Sequence, residues 1–268
     1  MGRTTFHFSR ARGLLGAAAL TAALSLAAAP PMRAASAVDP DAEKILREMS
    51  KYMSGLTAYS AKAEVDTEVI DADGQKLQLA SSGSFLLSRP GSFYSQRQTP
   101  YGSFELFIDG KTVTIYSKTR GAYYQLAAPG SLDNAITTLG EETGFELAGA
   151  DLLYSDPLPG LMTDVTSGQY IGTTAVNGVE CHHLAFRASK VDWQIWIQTG
   201  DKPLPMKYVI TTKWMTAAPE FTVLLRDWDT QPKIPAGRFD FTPPAGARKI
   251  TTLRLTGTGE VQIEEEKP

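Results

Sequence analysis

Gly83-Ser-Phe85-Leu-Leu87-Ser-Arg89-Pro90-Gly91-Ser-Phe93, followed by Phe107-Ile-Asp109-Gly110-Lys-Thr-Val-Thr-Ile-Tyr116, is the stretch whose reading decides the fold. An alternating run ends at a proline, which cannot donate to a strand ladder, so the chain must leave the sheet there. It returns through Asp109-Gly110, a pair that tolerates the positive backbone angles of a tight hairpin. The pattern is that of consecutive antiparallel strands with an Arg-Pro corner and an Asp-Gly turn.

Working outward, a helix precedes the strands. Asp39 is placed to cap it, Pro40 suits its first position, and Ala42, Ile45, Leu46, Met49, Tyr52, Met53 and Leu56 fall at helical spacing up to Gly55. From Tyr59 the period changes to two. Strands are expected at 58–70, 75–88, 92–99, 102–108, 112–117 and 121–126, with turn signals such as Asp73-Gly74 between them. The rhythm breaks between Pro129 and Thr163. A short helix capped by Ser131 puts Leu132, Ile136 and Leu139 on one face, and Phe145, Leu147, Leu152 and Leu153 follow before Pro157 and Pro159. That excursion must lie across the sheet, plugging its concave face or covering an edge. A second β run begins at Val165: Asn177-Gly178 joins 168–176 to 179–188, and 191–199, 204–214 and 219–229 come after it. Phe239-Asp-Phe241 with Pro243-Pro244 reads as the end of the compact part, with fraying expected in a tail from about 259 to 268. The fold class is therefore mainly β with some α: one curved antiparallel sheet over 38–258, with an N-terminal helix and a helical segment on it.

The N-terminus carries Arg3, Arg10 and Arg12, an Ala/Leu run from Leu14 to Ala29, and Ala35-Ser36-Ala37 as a cleavage site, so 1–37 reads as a cleaved signal peptide and the protein as periplasmic. An apolar run of about 16 residues is short of the roughly 20 that a spanning helix needs. Without residues 1–37 the chain holds 22 basic residues against 29 acidic ones, a net charge of −7. That balance disfavours nucleic acid, which is bound through clustered cations. The single cysteine, Cys181, permits no intrachain disulfide.

One face of the strands is rich in large apolar side chains. Phe85 and Leu87, then Phe104, Leu106 and Ile108, mark it in the first half. Trp193 and Ile195, then Met206, Tyr208 and Ile210, mark it in the second. A packed core and a ligand cavity produce the same period-two stripe, so the pattern leaves both open. Cys181-His182-His183 is the one cluster that invites a metal or catalytic reading. The mature chain offers no other His or Cys, however, and a metal centre needs three or four convergent ligands. Neither a Gly-x-Ser-x-Gly elbow, a His-Glu-x-x-His helix nor a phosphate loop occurs. No cofactor and no metal is expected, and no enzyme activity.

The capped helix, Gly83…Phe85…Arg89-Pro90…Phe93 and Asp109-Gly110-Lys111-Thr112…Tyr116 resemble the LolA/LolB-like periplasmic carriers over about 40–125. Cys181 to Arg187, Asp192-Trp193-Gln194-Ile195-Trp196-Ile197 and Pro203-Leu-Pro205-Met-Lys207-Tyr208-Val-Ile210 are similar instead to an uncharacterised periplasmic family of that superfamily. The resemblance implies a half-barrel whose concave apolar face holds an acyl chain, lipid or lipoprotein. The ten apolar residues named above would form its wall, and Leu132, Ile136, Leu139, Leu152 and Leu153 a helical lid. In the carriers an Arg before this Pro holds the lid closed, and Arg89 occupies that place. An envelope protein is a further partner the resemblance allows, as in regulators that use the same cup to bind a protein segment.

Overall fold

The computed structural model describes residues 37–144, 149–255 and 261–262. The expected signal peptide and polar tail fall outside these, but for Ala37 and 261–262.

Helix α1 spans Pro40–Gly55, and the Asp39 carboxylate accepts the Asp41 N–H at 2.8 Å. Its buried stripe is Ala42, Leu46, Met49 and Met53. Strands β1 (Ala58–Ile70), β2 (Lys76–Ser88), β3 (Ser92–Thr99), β4 (Gly102–Asp109), β5 (Thr112–Ser117) and β6 (Ala122–Ala127) form a meander. The chain then leaves the sheet for α2 (Leu132–Thr143), a 3₁₀ turn at Ala150–Leu153 and α3 (Pro157–Leu161). It returns at the opposite edge as β7 (Val165–Val176) and winds back through β8 (Val179–Ala188), β9 (Val191–Gln198), β10 (Pro205–Thr212) and β11 (Glu220–Asp229). The two meanders meet where β11 pairs antiparallel with β1. Strand β12 (Arg248–Ile250) adds to β6 in parallel and completes a 12-stranded open sheet, and Arg254–Leu255 pairs with Val261–Gln262 in a separate two-stranded one. This curved half-barrel, with a helix before it and helices on its concave face, is the architecture the sequence implied.

The turns follow from their residues. Asn177 and Gly178 adopt φ of 50° and 78°, as the tightest hairpins require. The Asp109 carboxylate caps the N–H groups of Lys111 and Thr112 at 2.8 and 2.7 Å. The Arg89–Pro90 peptide is cis. Gly91 is obligatory beside it, since a Cβ there would lie 2.2 Å from the Gly130 carbonyl oxygen. Leu132 N–H donates to Pro90 O at 2.8 Å and Gly130 N–H to Gly110 O at 2.9 Å, which ties the start of α2 to the Arg-Pro corner.

The compact part runs further than the Pro243-Pro244 signal indicated. Residues 230–247 cross the convex face to deliver β12 to the far edge. Phe107, Tyr116 and Tyr123 point to that face and surround Phe241, with ring centroids 5.0–5.5 Å away. The Arg238 guanidinium lies 3.7 Å from the Tyr94 ring centroid beside them. Strand parity assigns these aromatics to the wet side; the crossing segment covers them.

Candidate binding cavity

Cross-strand pairing sorts the concave face into rungs. Tyr59, Leu87, Phe93, Ile108, Val113 and Leu126 form one rung across β1–β6. One step along, Phe85 sits between Ala61 and Ser95; one step further, Gly83 sits between Ala63 and Arg97, and then Ser81 lies beside Val65. On β1 and β2 side chains thus shrink towards the middle of the sheet, while Arg97 on β3 borders the same zone and donates to the Ser81 hydroxyl at 2.9 Å. Nothing larger than hydrogen fits at Gly83, where a Cβ would stand 2.2 Å from the Gln96 carbonyl oxygen. The helices flank this zone, with α1 against β7 and β9 and α2 against β5. Among the described residues, it is the 3₁₀ turn that crosses above it.

The result is a cavity of about 170 Å³. Ala63 and Gly83 form its floor, while Gly149, Ala150, Leu152 and Leu153 form its roof. Tyr59, Phe85, Phe93 and Trp228 wall one end and Phe221, Val223 and Leu225 the other. The aromatic wall is built edge to face, with Phe85 centroids 6.1 Å from Tyr59 and 5.9 Å from Trp228. An engineered, fully enclosed cavity of about 150 Å³ lined by aliphatic and aromatic side chains stays dry and takes benzene. This one is of that size and mostly apolar, but it is partly open to solvent and Ser82, Ser84, Ser95, Gln96 and Arg97 also border it.

Polar groups latch the roof. Arg89 Nη2 donates to the Tyr154 carbonyl at 2.9 Å. Ser155 donates through its N–H to Asp133 at 2.9 Å and through its hydroxyl to the same carboxylate. The buried Ser50 hydroxyl bridges Asp156 at 2.7 Å and the Leu158 N–H at 3.1 Å, tying α3 to α1. Asp151 hydrogen-bonds the Tyr208 phenol, whose pKa rises well above the usual value through burial first and this carboxylate second. Tyr59 is pushed up to about 12, chiefly by burial, with Arg89 opposing and Asp133 adding. Among the described residues its hydroxyl and Arg89 Nε have no hydrogen-bond partner.

Of the residues singled out in the sequence, Phe85 lies on the cavity wall and Leu152 and Leu153 in its roof. Leu87, Leu106 and Ile108 share a closed core with Leu132, Ile136 and Leu139 of α2. Trp193, Ile195, Met206 and Tyr208 are buried in the same core with Leu46 and Met49 of α1, and Ile210 packs against it half-buried. Phe104 is half-buried opposite Arg97. Much of the concave face is therefore filled, and open volume is confined to the small-residue rungs. Ala63, Val65, Val223, Leu225 and Trp228 line it without having been singled out; their signal is the alignment of Ala63 with Gly83, visible only once the register is known.

The Cys181-His182-His183 cluster disperses into separate contacts. His183 stacks on Trp196 at 4.0 Å and bonds Gln194 at 2.9 Å, and burial holds its pKa below the usual value. His182 meets the Tyr170 hydroxyl at 3.1 Å. Cys181 is buried, its thiol donating to Val179 O at 3.3 Å and its pKa raised by burial. Among the described residues no group of three His, Cys, Asp or Glu converges as metal ligands would.

Residues 42–253 match the model of a family described as "Predicted periplasmic protein (DUF2092)". No curated protein is significantly similar in sequence. Among solved structures, the chain is similar to lipoprotein LppX of Mycobacterium tuberculosis at 12% identity and a TM-score of 0.47, over 73% of this chain and 98% of that one. An uncharacterized conserved protein of Thermus thermophilus gives 12% and 0.47, over 79% and 99%. The LolA superfamily protein NE2245 of Nitrosomonas europaea gives 10% and 0.38, over 75% and 97%.

Proposed function

We propose that this chain, which belongs to the DUF2092 family of predicted periplasmic proteins, is a non-catalytic binding protein that holds an acyl chain of a lipid or lipoprotein. The observation that carries this reading is the apolar cavity of about 170 Å³ between the small-residue rungs and the Leu152–Leu153 roof. Its closed form has room for a chain end of roughly benzene size. A longer acyl chain needs the roof to lift, which breaks the Arg89–Tyr154, Asp133–Ser155 and Asp151–Tyr208 contacts. Each methylene buried returns about 0.8 kcal/mol, so a chain of some ten methylenes offsets several such bonds at about 1 kcal/mol each. Arg89 sets how readily the roof opens, and delivery towards the outer envelope is the role such a passive holder fits.

Native mass spectrometry of protein purified from its own periplasm, followed by organic extraction, tests this. A co-purifying acylated species at near-stoichiometric amount is the expected result. Protein that carries none, and takes up no fluorescent acyl probe, refutes it and leaves the cup as a site for a protein segment.

A further inference from the structure

We infer that the β10–β11 hairpin tip, residues 213–219, is a membrane-interface anchor that docks one end of the half-barrel on a phospholipid bilayer. Trp214 is 69% exposed and Met215 40%, two of the largest apolar side chains the described surface presents to solvent. A structural tryptophan normally buries its ring. Here the backbone holds it out. Ala217 and Ala218 adopt left-handed φ of 63° and 41°, and Pro219 is buried at the base of the turn. Thr212 N–H donates to Pro219 O and Ala218 N–H to Met215 O, each at 3.0 Å. The next hairpin clamps the tip from the side: Lys213 N–H donates to Lys190 O at 3.0 Å, and Lys213 Nζ reaches Ala188 O at 2.6 Å and Asp192 at 2.7 Å. The protrusion is braced rather than loose.

A bilayer is the occupant that fits. Two side chains on a narrow tip fall far short of the roughly 1,600 Å² that a stable protein interface buries. Insertion into an interface depends on depth and on residue type, and tryptophan prefers the headgroup level. The placement fits as well. The tip lies at the sheet end opposite the Arg89–Pro90 corner, together with the turns at 71–75 and 100–101, and Tyr101 in the latter is 50% exposed. Phe221, which closes the cavity at that end, follows the tip directly on β11. Docking there sets the Phe221 end of the cavity towards lipid. Among the described residues no helix is long and apolar enough to cross a membrane. Because Lys213 is already paired with Asp192, attachment should depend little on salt.

The test is co-sedimentation of the purified protein with phosphatidylethanolamine/phosphatidylglycerol vesicles at low and high salt, with Trp214→Ala alongside. The expected result is binding at both salt concentrations that falls about tenfold or more in the variant, the equivalent of at least 1.4 kcal/mol. Vesicles of brominated lipid should quench wild-type tryptophan fluorescence but not the remaining signal of Trp214→Phe. Wild-type protein that stays in the supernatant, a Trp214→Ala protein that sediments equally, or quenching that survives in Trp214→Phe overturns the inference. Uptake of an acyl probe without vesicles reports on the cavity alone and should be unchanged in both variants. The anchor and the cavity therefore stand or fall separately.

Discussion

Substituting Ala63→Leu should move stability and ligand affinity in opposite directions. Ala63 lies on the cavity floor with its side chain under the roof, opposite Gly83. Leucine adds three carbons, which at about 0.8 kcal/mol each gain about 2.4 kcal/mol on burial. Fixing its rotamer gives back about 0.5–1 kcal/mol, so the empty protein should become more stable by about 1.5 kcal/mol. The same carbons take roughly half of a benzene-sized volume away from the ligand. Losing three methylene contacts at about 0.8 kcal/mol each weakens binding roughly 50-fold. Urea unfolding without ligand and titration with a fluorescent acyl probe read the two quantities. A variant that is more stable but binds the probe as wild type shows that the ligand lies elsewhere. One that is less stable shows a floor already filled to capacity, as overpacked cores are.

Two further predictions concern the latch and the buried phenols. Arg89→Leu removes the bond to Tyr154 O, and acyl-probe uptake should speed up severalfold in stopped-flow mixing; an unchanged rate removes Arg89 from the gating step. Tyr59 has its pKa raised from the usual 10 to about 12, so its contribution to stability is constant below pH 10 and is lost as pH climbs towards 12. The loss is on the order of 3 kcal/mol for a pKa raised from 10 to about 12. Tyr208 is shifted in the same direction, and the difference between wild type and Tyr59→Phe in urea midpoints from pH 8 upward isolates the Tyr59 part. A Tyr59→Phe protein as alkali-sensitive as wild type refutes this assignment.

The elements were legible where local chemistry dictates them. Asp39-Pro40 starts α1 and Asn177-Gly178 turns β7 into β8 because caps and tight turns are decided within a few residues. The placement of the helical excursion on the concave face was legible only as one of two options. The site itself was harder to read. Leu106, Ile195 and Ala63 all lie on one face, yet the first two are core and the third is cavity floor. That distinction comes from which helix reaches which strand, a long-range fact that period-two spacing does not carry. The convex cluster around Phe241 escaped for the same reason: Phe107 and Tyr116 sit at wet positions of their strands, and the segment that covers them lies more than a hundred residues downstream.

The void under the roof is costly enough to need an explanation. Residual volume in a fully enclosed cavity destabilises by about 24 cal/mol per Å³, so roughly 4 kcal/mol is the upper bound for about 170 Å³ that is partly open to solvent. A whole domain is held together by only about 5–15 kcal/mol. The void is also not forced by the fold. One leucine at Ala63 or Ser95 would remove much of it, whereas Gly83 is barred by its backbone from carrying a side chain. Small residues at two substitutable positions, under a roof of leucines held by side-chain latches that can open, make a space kept for something that enters. An apolar chain is what Phe85, Phe93, Trp228, Val223 and Leu225 would accept there.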